Sequence, residues 1–181
     1  MIAYKQAKTE KEVHEILALQ QLNLPKNLTE TEIEEEGFLT VEHDFDLLKK
    51  MNDACPHTLA IAEERVVGYA LSMHPKFATE IEVLKPMFTE INTVILTSAD
   101  YIIMGQICVA KAFRGQGVFR GLYRNMQQFL SPHFSRIITE VDTKNTRSMR
   151  AHAALGFKEL KRYAADGKEW SLIVLEYQPG D

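Results

Sequence analysis

Apolar positions recur along this chain at two periods, and the switches between them mark out its elements. Val13, Ile16, Leu17 and Gln20 share one helical stripe behind a Thr9-x-x-Glu12 capping signature, and Pro25 closes that helix. Thr29-x-x-Glu32 opens a second, acidic helix over 30–36, with Gly37 as its stop. Phe45, Leu47, Leu48 and Met51 predict a short amphipathic helix up to Asn52. Thr58 to Ala62 and Val66 to His74 then read as strands joined by the polar turn Glu63-Glu64-Arg65, an antiparallel hairpin. In the segment from Pro75 to Asp100, Ile81, Leu84, Met87, Phe88 and Ile91 keep helical spacing, and Pro86 among them marks a helix start or kink. Ile102 to Ala110 is apolar on both faces, as a central strand is, and Gly105 within it predicts a bulge or a close backbone approach.

Beyond that strand the helical period returns with Val118, Leu122, Met126, Phe129 and Leu130. Pro132 breaks the chain, and Arg136 to Asp142 forms a strand parallel to the central one, because a helix crosses between them. A helix led by Asn145 follows. Leu160 to Tyr163 and Trp170 to Tyr177 close the chain as strands joined through the turn signal Asp166-Gly167. An antiparallel start, a parallel middle and a closing hairpin predict a mixed α/β fold with a mostly antiparallel central sheet flanked by helices. The repeats of a doubly wound sheet are missing from this pattern.

Composition narrows the setting. With 181 residues, 45% of them hydrophobic, one domain spanning 1–181 is expected. The start, Met-Ile-Ala-Tyr-Lys-Gln, has no apolar core of a signal peptide, and the run Tyr101 to Ala110 is far too short to span a membrane. Two cysteines, Cys55 and Cys108, make no disulfide framework, which points to a reducing, cytoplasmic location. The histidines show no metal-ligand spacing, so no metal is assigned. Charge is unevenly spread: residues 1–100 hold 9 Lys and Arg against 18 Asp and Glu, whereas 111–150 hold 8 against Glu140 and Asp142. An acidic N-terminal half argues against nucleic acid as a partner.

The positive segment surrounds Arg114-Gly115-Gln116-Gly117-Val118-Phe119-Arg120-Gly121. Two glycines two apart permit backbone angles closed to other residues, and a helix that begins at once offers unpaired N–H groups to an anion. A P-loop would need a lysine followed by Ser or Thr, and none follows. The dinucleotide fingerprint G-x-G-x-x-G is missed by one place, and Lys111 to Arg114 separate the turn from its strand. Glu140 and Asp142 stand about where that fingerprint's ribose-binding acid belongs, which keeps this alternative open. The run Val109-x-x-x-x-Arg114-Gly115-x-Gly117 instead resembles the acyl-CoA-binding signature of the GNAT superfamily of N-acetyltransferases, with Phe119 where a small residue is usual. Downstream, Asn145-x-x-Ser148-x-x-x-His152-x-x-Leu155-Gly156-Phe157 is similar to the second signature of that family, in the order and spacing the family has.

The resemblance implies an N-acetyltransferase in which an amine attacks acetyl-CoA, the cosubstrate, directly in a ternary complex. It implies that Ile107, Cys108 and Val109, the turn residues Arg114, Gly115, Gln116, Gly117, Val118, Phe119 and Arg120, and then Asn145 and Ser148 bind the cosubstrate. It makes His152, where most members hold tyrosine, the acid for the departing thiolate; a core histidine with a satisfied hydrogen bond is the plain alternative. No glutamate stands on the central strand, only Gln106, so Glu140 is the candidate base. An acetyl-cysteine at Cys108 is disfavoured, since a strand-buried thiol is usually inert. The acceptor is expected to be a small-molecule or peptide amine, cationic given the acidic N-terminal half, with no membrane partner. A homodimer is a candidate assembly that nothing in the sequence fixes. A CoA-binding sensor without catalysis is the second function class.

Overall fold

The structure, a computed structural model, describes residues 1–36, 38–95 and 100–177; side chains are described for all of these except 34–36 and 83. Gly37, the expected helix stop, lies outside the described residues. The seven strands among the described residues, β1 (Ala3–Gln6), β2 (Thr58–Ala62), β3 (Arg65–Met73), β4 (Tyr101–Val109), β5 (Arg136–Asp142), β6 (Lys158–Ala165) and β7 (Lys168–Glu176), form a mixed, mostly antiparallel sheet in the order β1-β2-β3-β4-β5-β7-β6, with helices flanking it. The chain divides into two compact units, Met1–Met73 with Met104–Leu130, and His74–Ile103 with Ser131–Asp181.

In the first unit, β1 (Ala3–Gln6) pairs antiparallel with β2 (Thr58–Ala62), which pairs antiparallel with β3 (Arg65–Met73). The β2–β3 turn is tight because Glu63 and Glu64 take φ of 51° and 60°. Helix α1 (Glu10–Gln21) starts with the expected capping box: Thr9 accepts from the Glu12 N–H, and the Glu12 carboxylate accepts from the Thr9 N–H at 3.0 Å. Its buried face is Val13, Ile16, Leu19 and Gln20; Leu17 is only half-buried, and Leu19 takes its place. A short 3₁₀ turn, Pro25–Asn27, separates α1 from α2 (Glu30–Glu36), and α3 (Phe45–Ala54) buries Leu48 and Met51. Strand β4 runs from Tyr101 to Val109. Helix α5 (Val118–Leu130) buries Val118, Leu122, Tyr123, Met126 and Leu130.

Gly105 is neither strained nor crowded. A Cβ added there would meet Leu71 and Met73 at 3.9 Å, an ordinary contact, so the close backbone approach expected from the sequence is absent. That approach falls at Gly68 instead, where an added Cβ would lie 3.1 Å from the Cys108 carbonyl oxygen.

In the second unit, α4 (Lys85–Val94) has Pro86 in its first turn, where a missing N–H costs nothing. The first residues of β4, Tyr101–Ile103, pair in parallel with Arg136–Ile138 of β5 (Arg136–Asp142). Strand β7 (Lys168–Glu176) pairs antiparallel with β5 and with β6 (Lys158–Ala165), and Asp166 and Gly167 turn the hairpin at φ of 51° and 71°. Helix α6 (Thr146–Ala153) follows β5. Ile137, Ile138, Leu172 and Ile173 make the strand core, and Met87, Phe88 and Ile91 are the buried face of α4.

Candidate active site

The glycine turn is built by three devices in the first unit. After β4 the chain takes a 3₁₀ turn, Lys111–Phe113. Gly115 and Gly117 then adopt φ of 74° and 79°, and a Cβ on either would meet nothing within 4 Å. Conformation therefore demands glycine here, while space does not, which leaves main chain exposed at the N-terminus of α5. The third device is Arg114. Its Nε donates to the Val109 carbonyl at 3.1 Å and its NH2 to Asn23 Oδ1 at 2.6 Å. The guanidinium thus lashes the turn to the end of β4 and to the segment after α1. Arg120 is exposed, and Lys111 pairs with Glu32 of α2.

Other residues expected to contact the cosubstrate are placed with less freedom. Ile107 and Val109 are half-buried, whereas Cys108 and Gln106 alternate with them and are buried. Cys108 is a free thiol pushed up to about 12 by burial, so it is protonated and unreactive at neutral pH. Gln106 accepts from the Tyr69 hydroxyl at 2.7 Å and donates to the Val41 carbonyl at 2.7 Å, which pins the segment before α3 to the central strand. The Val118 side chain is core, 1% exposed. Gln116 donates to the Ala112 carbonyl, and the Phe119 ring meets Tyr123 edge to face, 5.3 Å between centroids. Gly121 has a packing role: an added Cβ would sit 2.0 Å from the Tyr4 hydroxyl oxygen.

In the second unit, Asn145 caps α6, its side chain accepting from the Ser148 N–H at 3.1 Å. Ser148 is half-buried, and His152 one turn on is 2% exposed, with its ring edge-to-face to Phe157. His152 Nδ1 lies 2.8 Å from the Ser148 carbonyl, which can only accept, so Nδ1 carries a proton. Burial holds the imidazolium down, to a pKa of about 4. At neutral pH the ring is therefore neutral, with Nε2 as an acceptor, the opposite of the proton inventory a general acid needs.

Glu140 is the group poised near neutrality. Burial raises its carboxyl to about 7, against the opposing hydrogen bond donated by the Tyr163 hydroxyl; the Asp166 charge adds to the rise. The register sets which face it uses. Glu140 stands opposite Leu172 on β7, and Asp142 opposite Trp170, which in turn faces Tyr163 on β6. Residues of the other parity turn to the face where Gly156, just past α6, approaches Leu175. Glu140 and the α6 helix of His152 therefore occupy opposite faces of the strands, and the two sequence-named catalytic candidates are not brought into contact. The Glu140–Tyr163 and Arg114–Asn23 pairs have no local signal in the sequence. An open hollow of about 620 Å³ on this unit is lined by Glu82, Lys85, Pro86, Thr89 and Asp166. Among the described residues no cluster of His, Cys, Asp and Glu could hold a metal, and no helix is long and apolar enough to cross a membrane.

The profile described as the acetyltransferase (GNAT) family matches residues 14–157, and the chain belongs to that family. No curated protein sequence matches it. Solved structures share its fold at low identity. The ribosomal-protein-S18-alanine N-acetyltransferase of Escherichia coli superposes with a TM-score of 0.66 at 11% identity, over 100% of this chain and 97% of that one. The NatC complex bound to Gag peptide and CoA gives 0.66 at 14% identity, over 98% and 99%. Arabidopsis thaliana Naa50, solved with the bisubstrate analogue CoA-Ac-MVNAL, gives 0.65 at 14% identity, over 97% and 99%.

Proposed function

We propose that this family member transfers the acetyl group of acetyl-CoA to an amine by direct attack in a ternary complex, as one N-acetyltransferase domain over 1–181. The observation that carries this reading is the glycine turn: positive φ at Gly115 and Gly117, open space above both, and a helix beginning at Val118. Those features suit a pyrophosphate, and the residues present fit CoA. The thioester supplies an activated acyl group. The protein's own work is to hold the phosphates at the turn, to offer the β4 main chain near Val109 as a donor to the developing oxyanion, and to take a proton from the amine at Glu140. Asn145 and Ser148 line the pantetheine arm in this assignment. His152 acts as a neutral hydrogen-bond acceptor, since a thiolate whose parent thiol has a pKa near 8.5 leaves without much help. The excess of acid over base in residues 1–100 supports a cationic acceptor, and the peptide ligands of the structural relatives make a peptide amine the first class to try.

A melting scan tests the ligand class. Acetyl-CoA at about a hundred times its dissociation constant should stabilise the fold by roughly 2.7 kcal/mol, with NAD at equal concentration doing much less. Gly117→Val forces a β-branched residue to a φ of 79° and should abolish that shift. An unchanged shift in the valine variant would remove the turn from the site. Release of free thiol with a panel of amines then tests turnover. The CoA-binding sensor remains the second reading, supported by Gln106 on the central strand where some members keep a glutamate, and by the neutral His152; absence of thiol release with every amine, despite a normal acetyl-CoA shift, would favour it.

A further inference from the structure

We infer that Tyr163 is the positioning residue for the proton acceptor of this reaction: its hydroxyl, reaching across the face of β7, fixes the Glu140 carboxyl in place and favours, against burial, the ionised form that can accept a proton from the amine. The inference rests on the reading of Glu140 as the base.

The geometry comes from strand register alone. Glu140 and Tyr163 are on β5 and β6, which do not pair; β7 lies between them, contributing Leu172 opposite Glu140 and Trp170 opposite Tyr163. A residue with a short side chain on β6 could not reach over β7. Tyrosine can, and its hydroxyl donates to Glu140 Oε2. The phenol is itself pushed well above its ordinary value by burial and by the Glu140 charge, so it donates without ionising at any working pH. A donor that stays neutral and directed is what a half-buried carboxylate needs to keep its charge.

The charged surroundings on this face are few. Asp166, in the β6–β7 turn, raises the carboxyl through its charge. Lys161, two residues before Tyr163 on β6, is committed to Glu90 of α4 at 2.5 Å, with Thr93 Oγ1 at 3.4 Å. Asp142, the next residue of β5 on the same face, has its Oδ2 3.8 Å from Lys168 Nζ and accepts the Lys144 N–H. Lys161 and Lys168 thus have acids of their own, and among the described residues the Tyr163 hydroxyl is the group that donates to Glu140.

The test reads the carboxyl directly and the reaction separately. In protein labelled with ¹³C at glutamate carboxyls, the Glu140 signal is identified by its loss in Glu140→Gln and titrated. In Tyr163→Phe its midpoint should move up by about one pH unit, the scale of one lost charge-assisted hydrogen bond. The acid limb of kcat against pH should move by the same amount, with KM for acetyl-CoA unchanged, and Tyr163→Phe should add nothing in the Glu140→Gln background. Should the phenylalanine variant fold poorly, 3-fluorotyrosine placed at 163 keeps the shape and donates more strongly, so the midpoint should move down. A carboxyl midpoint that stays put in both variants makes Tyr163 a packing residue and overturns the proposal, leaving the acetyltransferase reading intact. A midpoint that moves while the pH–rate limb does not overturns it differently, because Glu140 is then not the base.

Discussion

At Gly121, the side chain of Tyr4 occupies the volume a methyl group would need, with the phenol oxygen 2.0 Å and ring carbons 2.2 and 2.7 Å from an added Cβ. Gly121→Ala must therefore push the far end of the half-buried Tyr4 side chain aside, which should cost at most about 1 kcal/mol and roughly offset the better helix propensity of alanine. In a Tyr4→Ala background the same change should cost little or gain up to about 1 kcal/mol, and urea melts of the four proteins in the cycle measure the coupling. The sequence shows Gly121 as a near-miss to a phosphate fingerprint; its partner lies on the opening strand, which no local pattern reveals. Gly115 and Gly117 are legible for the converse reason, since a positive φ is a property of the residue itself. Arg114 falls between the two. Its place in the motif was legible, but the use of its guanidinium as a tie to Asn23 and Val109 was not. Arg114→Ala should accordingly lower stability by about 1–3 kcal/mol, the cost of leaving the buried Asn23 amide without this partner, besides weakening acetyl-CoA binding.

Elements whose ends carry their own chemistry were read to within a residue or two. Thr9 and Glu12 form the capping box seen as letters, and Thr9→Ala should cost about 1 kcal/mol in a thermal melt. Pro86 sits in the first turn of α4, and the two hairpins turn where Glu63-Glu64 and Asp166-Gly167 indicated. What the periodicity could not give is pairing at a distance: that Glu140 and Tyr163 meet over an intervening strand, or that Gln106 bridges Tyr69 and Val41. Asn145 shows how one residue can be tested for two jobs. It caps α6 through its Oδ1, which an aspartate reproduces. Asn145→Asp should hold the melting temperature of the wild type, whereas Asn145→Ala should lose about 1 kcal/mol. If the amide also engages the pantetheine arm, the aspartate variant will bind acetyl-CoA less tightly although its helix is intact.

For the whole molecule, three buried imidazoles set the response to acid. Burial lowers His43, His57 and His152 from 6.5 to about 4. Unfolded, each takes up a proton as the pH falls through 6.5; folded, each stays neutral until about 4, so stability is present above 6.5 and is lost across that window. Glu140 works the other way. Raised from 4.5 to about 7, it holds a proton in the folded state that the unfolded chain releases, and so stabilises the fold as pH falls through 7. Between 6.5 and 4.5 the unfolded state thus binds roughly two protons more, a slope of at most about 2.7 kcal/mol per pH unit. Against a usual stability of about 5–15 kcal/mol this is decisive, and urea midpoints should fall steeply between pH 7 and pH 5. Replacing His57 with a residue that does not titrate should flatten the slope; an unchanged slope would mean that its charged form is accommodated.

The chain's two cysteines bear on how turnover can be followed. Cys55 and Cys108 are both buried, with thiols raised to about 11 and about 12. An aromatic disulfide reagent at pH 7.5 will find almost no thiolate on the native protein, because reagents of that kind react with the ionised form. Colour that develops in a mixture of protein, acetyl-CoA and amine will then count released CoA rather than the catalyst. The same reagent added after denaturation should report both thiols, which makes the fold's own integrity the control for the assay.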